Sequence, residues 1–179
     1  MKLRMIMQKV TDLSGKELAA RRNLSSAVYP PDVVANWPGR SIEWASPEWC
    51  VMCWDEKGEA LSHAGVLIRE CEIDGSPVRI GGIGGLMTHP KARREGLATK
   101  VIKGSLEFFL ERAVDFALLV CKRELVPLYE KLGWQLYRDK VLVTQKGVTT
   151  PFTFNLPMVH SACKAAPSSG DIYLKGAPW

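Results

Sequence analysis

The chain has no uninterrupted apolar run near the ~18 residues that a membrane-crossing helix needs, which excludes a helical span. It also lacks a disulfide pattern. Its five cysteines, Cys50, Cys53, Cys71, Cys121 and Cys163, are odd in number and scattered among apolar neighbours. That usage suits reduced thiols in a cytoplasm. There is no internal repeat and no convincing linker, so 179 residues read as one domain, 1–179, with a sizeable core. The opening MKLRMIMQKVTDLSG has no small-residue cleavage site and is expected to be a first strand rather than a signal peptide. One further gap bears on chemistry: no carboxylate lies between Asp74 and Glu95.

What is present is ordinary for a soluble globular protein, with 46% hydrophobic and 24% charged residues. Lys and Arg number 24 against 19 Asp and Glu, a net charge of +5. That balance favours anionic ligands without separating nucleic acid from a phosphorylated cofactor. Ser14 stands before a helical stretch in which Leu18, Leu24 and Val28 share a face. A Pro- and Trp-bearing loop follows, and then two strand-like runs, WCVMCWD and ALSHAGVLIRECEI. A DGSP turn carries the meander into VRIGGIGGLMTH. Beyond it, Val101, Ile102, Leu106, Phe109 and Leu110 have helical spacing, and VDFALLVCK suits a strand buried on both faces. ELVPLYEKLGW reads as a short helix stopped at Gly133. The expected fold is α/β, a mixed and mostly antiparallel twisted sheet flanked by helices, with about 157–179 a tail packed over the domain.

HPKARREGLATKVI is the most pointed stretch. A helix start leaves main-chain N–H groups without partners, and the helix dipole adds positive charge there. Such a turn can hold a phosphate. Gly96 permits close approach of a ligand, while Lys91, Arg93 and Arg94 surround it with cationic side chains. Arg93-x-x-Gly96-x-Ala98, preceded by GLMTHP and followed by a buried strand and LYEKLGW, resembles the GNAT superfamily of acyl-CoA-dependent N-acyltransferases. SPVRIGGIGG, LYEKLGW and a final Trp179 are similar to the aminoglycoside 2′-N-acetyltransferases within it.

The resemblance implies acetyl-CoA as cofactor, its diphosphate held by Arg93, Arg94, Glu95, Gly96, Leu97, Ala98 and Thr99. It places pantetheine along Leu86, Met87 and Thr88, and makes Tyr129 the acid that protonates the departing thiolate. It further implies a small-molecule amino sugar as acceptor, kasugamycin among the candidates, because a positive chain repels polycations. Asp32, Trp37, Glu43 and Trp44 in the long loop are the expected substrate contacts. Trp179 joins them through its ring and, at a chain end, a carboxylate. The family's strand carboxylate aligns with Gly84, so the base is missing; His63 and His89 are the remaining candidates. No metal, nucleic acid or membrane is implied, and a homodimer is admitted. The alternatives are a nodulation-type acyltransferase or another acceptor such as a polyamine or peptide, a nucleic-acid module using Lys91, Arg93 and Arg94, and a CoA-binding regulator without turnover.

Overall fold

The computed structural model describes residues 3–179. The alternating stretch from Trp49 to Thr88 folds as an antiparallel meander of β2 (Trp49–Trp54), β3 (Ala60–Ile73) and β4 (Ser76–Thr88). The β3–β4 hairpin turns on Asp74 and Gly75, whose φ values of 47° and 81° match the right-handed twist of the flanking strands. On the outer side β1 (Arg4–Lys9) pairs antiparallel with β2. The chain then crosses through helix α3 (Leu97–Glu111) to β5 (Phe116–Cys121), which lies parallel to β4. β9 (Leu156–Ser161) runs antiparallel to β5, with the short β6 (Gln135–Leu136) beyond it. At the other side, β10 (Ile172–Tyr173) is inserted between β3 and β7 (Val141–Gln145), and β8 (Val148–Pro151) lies outermost.

Helix α1 (Gly15–Val28) is closed at its start by a capping box. Ser14 Oγ accepts from the Glu17 N–H at 3.3 Å, and the Glu17 carboxylate accepts from the Ser14 N–H at 2.8 Å. α1 covers one sheet face through Leu24, packed with Met52, Trp54 and Met87. α3 covers the opposite face, burying Val101, Ile102 and Phe109 against Val51, Ala64, Val66, Ile83 and Leu119. The short α4 (Val126–Glu130) follows β5 and adds Tyr129 to that second layer.

Two expectations need correction. The Pro- and Trp-bearing segment holds a short helix, α2 (Pro31–Ala35), because proline fits the first helical turn, where no N–H is needed. Residues 156–161 do not begin a tail. They form β9, with Met158 and Val159 buried in different core clusters, and residues 172–173 add a further strand. The Ser, Pro and Gly content nearby masks so short an alternation.

The chain from Leu174 to Trp179 then lies over the sheet. A Cβ on Gly82 would sit 2.3 Å from the Trp179 indole, and one on Gly84 would sit 2.9 Å from its main-chain carbon. Trp179 Nε1–H donates to the Leu118 carbonyl at 2.9 Å, and the Arg69 guanidinium stacks 5.2 Å from the ring centroid. Gly82→Ala is therefore expected to lower stability by about 1–3 kcal/mol in thermal or urea unfolding. Gly15→Ala, whose Cβ meets nothing within 4 Å, is expected to change it little.

Candidate functional site

The site begins where two strands separate. β4 and β5 pair only over Ile80–Ile83 and Phe116–Leu119, and the remainder of β5 pairs with β9 alone. β4 from Gly84 to Thr88 thus has one neighbour, β3, among the described residues. A bulge falls in this length: the β3–β4 register slips between His63 and Gly65, and Gly85 has φ 55°. Beyond it the His89 N–H donates to the Leu61 carbonyl at 2.8 Å, which fixes the alternation. Met87 directs its main chain to β3, and its carbonyl accepts from Ser62 Oγ–H at 2.8 Å. Thr88 directs its main chain to the edge that β5 has left, and the Leu86 N–H, trans to the Gly85 carbonyl that lies 3.0 Å from His63 Nδ1, points away from β3.

The strand leads into the basic turn. His89 Nδ1 accepts from the Lys91 N–H at 3.2 Å, and the Lys91 ammonium is paired with the Glu59 carboxylate. Arg93 Nε–H reaches the Thr88 carbonyl at 3.4 Å. Arg94 and Gly96 adopt φ values of 66° and 75°, so the turn curls its main chain around open space. Gly96 is the residue before α3, gives it no side-chain cap, and a Cβ there would meet nothing within 4 Å. In α1 the Glu17 N–H is taken by the Ser14 side chain, whereas at the start of α3 no side chain caps the N–H groups of Leu97, Ala98 and Thr99, which are available to an anion.

Tyr129, on α4, packs in the core cluster that also holds Ile83, the last β4 residue paired with β5. It is buried, its ring meets Trp134 edge-on at 6.1 Å, and its hydroxyl makes no hydrogen bond to another described residue. Burial pushes its pKa well above the ordinary phenol value, so it stays protonated. Tyr29, just past α1, is close enough to influence it electrostatically, and no sequence signal marked that pairing.

The expected substrate contacts divide. Trp37 and Trp44 stack at 5.7 Å and meet Phe154 edge-on, and the Trp44 indole N–H donates to the Gly39 carbonyl at 3.0 Å. Their first role is to anchor the loop. The Glu43 carboxylate accepts from the Lys146 N–H at 2.8 Å, and Asp32 is exposed on α2. The Ala45 N–H donates to the Pro178 carbonyl at 2.7 Å, tying this loop to the segment that carries Trp179.

Neither histidine is placed as a free base. His63 Nε2 accepts from Arg21 Nε–H at 3.2 Å and its Nδ1 lies 3.0 Å from the Gly85 carbonyl. Burial depresses its pKa to about 4. His89 is engaged as the cap of its turn.

Residues 12–137 match the family model described as an acetyltransferase (GNAT) domain. Among solved structures the chain is similar to ElaA of Escherichia coli, with 18% identity, a TM-score of 0.63, and coverage of 89% of this chain and 100% of that one. An acyl-CoA N-acyltransferase from Pseudomonas aeruginosa matches at 17% identity and TM-score 0.62, covering 89% of this chain and 100% of that one. The GNAT family N-acetyltransferase YhbS from Escherichia coli, solved in complex with CoA, matches at 15% identity and TM-score 0.63, covering 97% and 91%.

The buried imidazole has a consequence for acid stability. Its folded pKa lies below its unfolded value of 6.5, so its contribution is complete above pH 6.5 and is lost as pH falls toward 4. Unfolding free energy is expected to drop by about 3 kcal/mol over that window. His63→Asn is expected to flatten that part of a urea-denaturation pH profile.

Proposed function

The chain belongs to the GNAT acetyltransferase family, with acetyl-CoA as donor, and we propose that it acetylates the amine of an amino sugar. The observation that carries the donor half is the released edge of β4 running into an uncapped helix start. Arg93, Arg94, Glu95, Gly96, Leu97, Ala98 and Thr99 form the diphosphate cradle in this reading, the N–H groups supplying most of the grip. The Leu86 and Thr88 main chain runs along pantetheine, with Met87 behind it as the anchor to β3.

Bound acetyl-CoA supplies a thioester carbonyl that N–H donors polarise and a sulfur that must leave as thiol. The residues fit that demand. The Leu86 N–H points away from β3, and the Tyr129 hydroxyl is unengaged and protonated, its ring packed edge-on against Trp134. With His63 and His89 both occupied by structural bonds, the enzyme takes the neutral form of the amine from solution or passes its proton to water.

For the acceptor, the reading rests on Trp179 filling the space above Gly82 and Gly84, with the Trp37–Trp44 stack and the carboxylates of Asp32 and Glu43 on the adjoining loop. Flat apolar rings beside carboxylates suit an amino sugar. The 2′-amine of an aminoglycoside-type antibiotic is the proposed site, and the charge of +5 favours a weakly cationic example such as kasugamycin.

A CoA-release assay across amino sugar antibiotics, polyamines and peptides tests the acceptor; turnover of peptides alone would overturn it. Tyr129→Phe is expected to leave acetyl-CoA affinity unchanged and to cut turnover by about 100-fold. Gly96→Val forces a left-handed residue to carry a branched side chain into the cradle, and should weaken acetyl-CoA binding by at least about tenfold in calorimetry.

A further inference from the structure

Among the described residues only three polar side chains, Ser62, His63 and Ser105, are fully buried, and two of them grip the same short length of β4. Ser62 Oγ–H donates to the Met87 carbonyl at 2.8 Å and lies 3.1 Å from the Thr88 hydroxyl. His63 reaches the Gly85 carbonyl. Successive strand residues point to opposite faces, so the two grips come from the α3 side and the α1 side of the sheet.

The proton positions follow from the donors. Arg21 Nε can only donate, so His63 Nε2 accepts from it and the neutral ring carries its hydrogen on Nδ1. That hydrogen is given to the Gly85 carbonyl. A relay therefore runs from α1, through the core, to the one residue of the bulge with positive φ, 55°. The bulge itself explains the need. Two β4 residues stand opposite Ala64, so the ladder cannot satisfy both, and β5 is absent on the other edge. A side chain takes over the bond that the strands have lost.

We propose that Arg21, His63 and Ser62 brace the kinked main chain at Gly85–Met87, and that His63 is a positioning residue that aims the Leu86 N–H at the acetyl group. The proposal rests on the donor-site reading above. The Gly85 carbonyl and the Leu86 N–H belong to one planar peptide unit, so the bond to His63 decides where that N–H points. Loss of the imidazole bond lets the Gly85 peptide rotate, because glycine has no Cβ to hold it.

The test uses two ligands on the full chain: acetyl-CoA, and adenosine 3′-phosphate 5′-diphosphate, which is the same molecule without its pantetheine arm. Calorimetry with His63→Leu is expected to show about tenfold weaker acetyl-CoA binding and an unchanged affinity for the fragment. His63→Asn, whose amide N–H replaces Nδ1–H, should recover most of the loss. Arg21→Met, which keeps the buried ring and frees only its Nε2, should shift acetyl-CoA alone by a few fold and serves where His63→Leu does not fold. Unchanged acetyl-CoA affinity in a folded His63→Leu or Arg21→Met chain would overturn the proposal. So would equal weakening of both ligands, the mark of general destabilisation. A wild-type chain that binds acetyl-CoA no better than the fragment would instead overturn the donor-site reading.

Discussion

An interior β-strand has hydrogen-bond partners on both edges, and in this chain one such strand loses the partner on one edge partway along. β4 is flanked by both β3 and β5 over Ile80–Ile83, then by β3 alone among the described residues. Unpaired main-chain groups beside an apolar core are costly unless something supplies the missing partner. The remainder of the architecture accommodates that deficit. α3 starts without a cap next to it, Tyr129 packs in the core cluster that holds Ile83, and buried polar side chains of β3 bond to it from behind.

At the basic turn the cationic side chains are engaged locally. Lys91 is neutralised by Glu59, and the exposed Arg93 spends part of its donor capacity on the strand that precedes it. The ion pairs of Lys91, Arg79 and Lys140 are exposed and contribute little to stability. The more specific feature is backbone shape, with two left-handed residues two positions apart that turn successive N–H groups to one side.

Much of this was legible in the residues. The meander, the crossover helix and the turn at Gly96 each carry strong periodic or glycine signals, and the structure places all three within a few residues of the expected limits. β9 and β10 were not legible, because LPMVHS shows neither clean alternation nor a continuous apolar run, and β10 has only two residues. The gap at Gly84 was visible as a missing carboxylate, but its cause was not. Trp179 lies far along the chain, and only the folded state shows that its main chain fills the volume a side chain at Gly84 would need. His63 was similarly opaque: Arg21 sits among other cations on α1, and nothing in its neighbourhood points forty-two residues ahead.

The insertion of β10 between β3 and β7 has a bearing on how the molecule is made. β7 and β8 join the sheet through β10, a strand of two residues contributed by the last part of the chain. During synthesis the meander and α3 emerge early and can pack on one another, whereas the β7–β8 hairpin must wait beside them with a bare edge. A nascent chain stalled short of Ile172 would expose that edge and the Gly82–Gly84 surface together, a natural handle for chaperones and proteases.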